Sequence, residues 1–141
     1  KSPKQKSKMD IQNTQSQMRK GVLEFCILSI IRQGEVYPSD IVEQMKTANL
    51  NILEGTLYPL LTRLKNASYL TYRWVESNSG PPRKYFSMTE KGLAFYHELE
   101  LTWNELADAV KALTAHQTNN STDAIPDHAA TTISNTDQIN L

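Results

Sequence analysis

Thr56, Tyr58, Thr62, Arg63 and Asn66 crowd into one short segment, and each ends in a hydrogen-bonding group or a cation. Further along, Arg83 and Lys84 stand side by side directly after Gly80-Pro81-Pro82. Such residues donate to anionic oxygens and to polar edges; without a paired base or an activated nucleophile they do not break bonds. The rest of the chain adds no catalytic constellation: there is no phosphate-binding glycine loop, no nucleophile elbow and no paired acids in a defined context. His97, His116 and His128 lack metal-ligand spacing and read as surface residues. The lone Cys26 cannot form an internal disulfide, and inside an apolar run it reads as a small buried hydrophobe. The chemistry expected is recognition, with no enzyme activity, metal or cofactor.

The elements that carry these groups decide which partner they can recognise. Leu57, Leu60, Leu61, Leu64 and Ala67 recur at helical spacing and predict a one-sided helix. Gly55, Pro59, Thr62 and Asn66 then point away from that stripe, with Thr56, Tyr58 and Arg63 on its flanks. Pro59 sits most easily in a first turn, so this helix is expected to begin near Gly55-Thr56 or to kink there. Tyr69 to Val75 and Arg83 to Met88 have strand character. Between them Glu76 to Pro82 reads as the loop of a hairpin. The aromatics Tyr69, Tyr72, Trp74 and Tyr85 are expected to pin the hairpin to the helices.

Upstream, a first helix is expected from Thr14 or Met18 to Arg32, apolar nearly all round from Val22 and therefore buried on more than one side. A second begins at Pro38 and ends near Ala48-Asn49, where Asn49 suits a left-handed cap. Its inner stripe is Ile41, Val42, Met45 and Ala48. Thr89 is a natural N-cap for a last helix in which Tyr96, Leu99, Trp103, Leu106, Val110 and Leu113 form a heptad-like seam.

Three helices, a hairpin and a long helix make a mainly α (α+β) fold, a winged helix-turn-helix with an N-terminal helix and a long C-terminal dimerisation helix. The expected divisions are a basic, flexible arm over 1–17, the winged domain over 18–88, the dimerisation helix over 89–113 and a polar, disordered tail over 114–141. Met9 reads as a start position, with residues 1–8 an added or upstream extension.

Net charge is zero, but it is unevenly spread. Glu54 to Lys91 holds six cations against three anions, whereas Leu93 to Leu113 sets Lys111 against four anions. A positive face combined with a groove-sized helix fits double-stranded DNA. Nothing resembles a signal peptide or a membrane span, so a cytoplasmic location is the default. A winged-helix protein-interaction module without sequence-specific DNA binding is the alternative left open.

At these residues the sequence resembles the PadR family of bacterial transcriptional regulators. The resemblance rests on Gly55-Thr56-Leu57-Tyr58-Pro59, Arg63-Leu64, Pro81-Pro82-Arg83-Lys84-Tyr85-Phe86 and Met88-Thr89-Glu90-Lys91-Gly92, in that order, and covers about Arg19 to Leu113. The short last helix looks like the compact subgroup with a single C-terminal helix. Two positions depart from the pattern: Asn66-Ala67-Ser68 stands where the family often has a capping glycine, and Leu53 where it often has a polar N-cap. The resemblance implies a homodimer on a palindromic or pseudo-palindromic operator, usually a repressor released by a small molecule. It also gives Trp103 two readings. In certain members a last-helix tryptophan stacks on flat aromatic ligands across the dimer axis, which would make Tyr96, Leu99, Trp103, Leu106 and Val110 an effector cleft. The simpler reading is a packed dimer interface, since a ligand needs an open cleft.

Overall fold

The computed structural model describes residues 3–122, with side chains described over 10–115. Five helices and one hairpin run in the order α1 (Pro3–Lys20), α2 (Leu23–Arg32), α3 (Pro38–Thr47), α4 (Glu54–Asn66), β1 (Leu70–Ser77), β2 (Gly80–Met88) and α5 (Glu90–Thr122). The chain divides after Thr102 into two units.

The expected first helix is two helices. Apolar content begins at Val22, and Gly21, a weak helix former, stands at the boundary. There the backbone closes one tight turn, Val22 N–H donating to the Arg19 carbonyl at 3.1 Å. α1 covers residues 3–17 of the arm expected over 1–17. It carries no apolar stripe, which is why periodicity does not reveal it, and Asp10 to Lys20 are all exposed. α2 is apolar and inserts Ile27, Leu28 and Ile31 into the core.

Around α2 the core is completed by Ile41 and Met45 of α3, Leu57, Leu61 and Leu64 of α4, and Ile52, Leu70, Phe86 and Tyr96. Val42 is half-buried and Ala48 exposed, so the inner stripe of α3 is narrower than its apolar residues imply. Both α3 and α4 end in Schellman turns. After α3, Asn49 takes φ +62°, and Leu50 N–H donates to the Met45 carbonyl. After α4, Ser68 takes φ +67°, and Tyr69 N–H donates to the Leu64 carbonyl. Asn49 thus fills the role its type suggests. Ser68 occupies a position that favours glycine because the start of α5 supports it. The Thr89 hydroxyl donates to the Ser68 carbonyl at 2.7 Å and accepts from Gly92 N–H at 2.9 Å, and Lys91 Nζ donates to the Ala67 carbonyl.

β1 and β2 pair antiparallel from Leu70↔Met88 to Ser77↔Gly80, with an irregularity between Val75 and Ser77. The turn is shorter than the expected loop: Asn78 and Ser79 make it, and Pro81-Pro82 lie within β2. Val36 adds an isolated antiparallel bridge on the far side of β2, exchanging both backbone hydrogen bonds with Phe86.

The last helix is also longer than the seam implies, running on to Thr122 in place of a tail from Thr114. Thr and Asn in this stretch have low helix propensity and conceal the continuation. Residues 123–141 of the expected tail lie outside the described residues. Within the first unit, α5 stacks Phe95 on Tyr69 with ring centroids 4.1 Å apart and Tyr96 on Phe25 at 5.4 Å. The second unit begins at Trp103, and its described residues are the rest of α5 to Thr122. It presents Trp103, Leu106, Val110 and Leu113 to solvent.

Candidate nucleic-acid interface

α4 begins at Glu54, so Pro59 is inside the helix rather than in its first turn. The missing N–H removes the bond that would close on the Gly55 carbonyl, and Gly55 faces open space. Both residues lie on the outward face, where no packing partner must be reached. Leu53, at the N-cap, makes no side-chain bond to the first-turn amides.

Thr56, Tyr58, Thr62, Arg63, Lys65 and Asn66 are all exposed on α4, but they divide between two flanks. Arg63 turns toward α2 and pairs with Glu24, so part of its charge is neutralised within the fold. Tyr58 and Lys65 lie on the other flank, toward the hairpin. Lys65 Nζ sits 5.7 Å from the centre of the Tyr72 ring. Partial burial, then the nearby Glu54 and Tyr37, push the Tyr58 hydroxyl above the ordinary tyrosine value. It therefore remains a protonated donor at neutral pH. Thr62 and Asn66 occupy the outward face between these flanks.

Arg83 and Lys84 are adjacent in sequence and opposite in space, because successive strand residues point to opposite faces. Lys84, paired with Trp74 across the ladder, lies with its Nζ 3.9 Å from the Tyr72 ring centre, on the face shared with Phe86. Arg83 lies on the other face, 5.0 Å from the centre of the Tyr37 ring, which itself sits beside Tyr85. The pair expected to act as one charge thus forms the two sides of the wing. Trp74 does not pin the hairpin: it is 62% exposed. Tyr69 and Tyr72 do pack against the core, and Tyr85 packs on Tyr37.

Arg73, the third cation of the hairpin, is held by Glu35. Its Nη2 donates to one carboxylate oxygen at 2.8 Å and its Nε to the other. The hydrogen bond from Arg73 is the main reason the Glu35 carboxyl falls below its ordinary value. Three of the six cations counted in the positive segment are therefore engaged internally, Arg63 and Arg73 by carboxylates and Lys91 by the Ala67 carbonyl; Lys65 of α4 and Arg83 and Lys84 of the wing form no ion pair among the described residues. Lys65 is the residue that sequence reasoning passed over. Its place one turn past Leu61, beside Tyr58 on the helical wheel, was the signal available.

The seam residues of α5 also separate. Tyr96 is only 5% exposed, lies under the Arg32 guanidinium at 4.9 Å and belongs to the core of its own domain rather than to an open cleft. Leu99 is half-buried against the same core. Among the described residues no group of His, Cys, Asp or Glu could hold a metal ion, and His97 lies on the surface 3.8 Å from Glu100. His116 and His128 lie outside the described side chains. Cys26 is half-buried, and burial pushes its thiol up. No helix among the described residues is long and apolar enough to cross a membrane.

Comparison with known proteins agrees with this geometry. Residues 27–98 match the model of the PadR-like family of transcriptional regulators. A PadR-like transcription factor from Bacteroides fragilis is 53% identical, with 72% of this chain and 98% of that one covered and a TM-score of 0.61. A PadR family regulator from Eggerthella lenta is 30% identical over 78% of this chain and 96% of its own, with a TM-score of 0.72. The Bacillus subtilis PadR, solved in complex with operator DNA, is 25% identical with a TM-score of 0.52, covering 55% of this chain and 46% of that one. A helix with an open polar face, a wing with free cations and this agreement along the whole winged domain have one reading: the chain belongs to the PadR-like family of transcriptional regulators.

Proposed function

We propose that this protein is a homodimeric, sequence-specific DNA-binding regulator that acts on a palindromic or pseudo-palindromic operator. The observation that carries the proposal is the exposed face of α4, where Thr62 and Asn66 lie between Arg63, paired with Glu24, and Lys65, which forms no ion pair among the described residues. Thr62 and Asn66 are the groups to read base edges in the major groove. Tyr58, Lys65, Arg83 and Lys84 are the groups to hold phosphates, and they set register rather than sequence preference. Thr56 lies at the start of the helix, where a backbone phosphate meets its positive end. The operator-bound relative from Bacillus subtilis supports the same partner.

Dimerisation is supported by the apolar residues that α5 leaves open. Trp103 is 42% exposed, and Leu106 and Val110 are similarly open. Large apolar residues repeated along one helix are an interface in waiting. The same row is the place for a flat aromatic effector, with Trp103 as its stacking surface, and repression relieved by that effector is the regulatory scheme. Tyr96 takes no part in it.

The test is a titration of the protein against its own promoter region and a scrambled duplex. The promoter should be bound more tightly, and Trp103 fluorescence should be quenched by planar aromatic compounds. Equal affinity for both duplexes would leave the protein-interaction reading in its place.

A further inference from the structure

We propose that Arg19 and Lys20 form a second phosphate-gripping site, holding the DNA backbone on the flank of α4 opposite the wing. The inference rests on the DNA-binding reading above and extends it to a helix outside the winged motif. The C-terminal turn of α1 meets the start of α4 across a cleft of about 310 Å³ lined by Ser16, Arg19, Lys20, Asn51, Leu53 and Thr56, with Leu23 and Ile52 beneath. Two cations and three neutral polar side chains face it, and no acid lines it. Arg19 and Lys20 are exposed, and neither is engaged in any of the ion pairs found among the described residues. That separates them from Arg63 and Arg73, whose charge is met within the fold.

The floor of the cleft has the matching defect. Leu53 is the N-cap of α4 and supplies no side-chain acceptor to the first-turn amides. The Thr56 and Leu57 amides donate to the Leu53 carbonyl at 2.9 and 3.0 Å, so what a leucine N-cap leaves to an outside acceptor is the very start of the turn, at Glu54 and Gly55. A phosphate oxygen placed there would accept from the first turn and sit beside both cations. The position relative to the groove is also right. On the helical wheel Thr56 shares a flank with Leu60 and Arg63, which face α1 and α2, whereas Tyr58 and Lys65 face the hairpin. A helix lying in the major groove runs between two phosphate backbones. The wing takes one of them, and the α1–α4 cleft is placed to take the other.

The test compares the salt dependence of operator binding for the wild type, Arg19→Ala/Lys20→Ala and the charge-keeping Arg19→Lys/Lys20→Arg, each on specific and scrambled duplexes. Loss of two phosphate contacts makes the slope of log K against log salt shallower by about 1.8 for each protomer engaged. The expected result is that change in the alanine variant, with the preference between duplexes retained and the wild-type slope preserved in the charge-keeping variant. An unchanged slope in the alanine variant overturns the proposal. So does an equal loss in both variants, which would mean that the side chains act by packing. A wild type whose binding ignores salt removes the DNA reading itself, and this inference with it.

Discussion

The tightest requirement on a single side chain is at Gly92. A Cβ there would lie 2.0 Å from the Tyr69 carbonyl oxygen, and that atom is backbone, not a mobile side-chain tip. Gly92→Ala must push α5 away from the start of β1. It is expected to lower stability by about 1–3 kcal/mol, as overpacking does, read as a lower denaturant midpoint at an unchanged m-value. A midpoint equal to that of the wild type would show that the junction can yield. Glu35 offers a second check. Its folded-state carboxyl lies below the ordinary value because Arg73 holds it. The contribution of this pair is therefore present above the unfolded carboxylate value, about 4.3, and is lost as pH falls through the lower folded value. Titration of the Glu35 carboxyl by NMR should return to the ordinary range in Arg73→Ala; no movement would mean that the bidentate contact does not persist in solution.

Among the elements, α4 and the hairpin were legible in the sequence because each follows a simple period. The stripe through Leu57, Leu61 and Leu64 sets which face of α4 is free. Three features were not legible, and for separate reasons. α1 has helix-compatible residues but no apolar stripe, so its pattern matches that of a solvated arm. Pro81-Pro82 suggest a turn by type, yet they extend β2, and the chain reverses at Asn78-Ser79. Arg63 looks like a free cation until α2 brings Glu24 beside it, a contact that no local pattern contains. The division of labour on the interface gives a prediction at this scale. Replacing Thr62 or Asn66 by alanine should change which bases are preferred, by about 1–3 kcal/mol at the affected position. Arg83→Ala should weaken all duplexes nearly equally and make the salt slope shallower by about 0.9 for each protomer engaged. A competitive binding assay over single-base operator variants distinguishes them, and a uniform loss from Asn66→Ala would remove it from base readout.

For the molecule as a whole, the contacts between Thr89, Lys91, Gly92 and the carbonyls of Ala67, Ser68 and Tyr69 join the end of α4 to the beginning of α5. The helix proposed to read DNA and the helix proposed to pair two copies thus share one capped junction. Leu106→Lys, placed on the open apolar row of α5, is expected to shift sedimentation from dimer toward monomer and to weaken operator binding as the second half-site is lost. A dimer that survives the charge would move the interface elsewhere. The central claim is that the face bounded by α4 and the wing binds duplex DNA through phosphates and base edges together. Equilibrium binding to the promoter duplex and to a scrambled duplex, each measured across a range of salt, tests it most directly. The account predicts tighter binding to the promoter and affinity for both that falls steeply with salt, at about 0.9 in slope per phosphate contact. Affinity that is the same for both duplexes and indifferent to salt would contradict it.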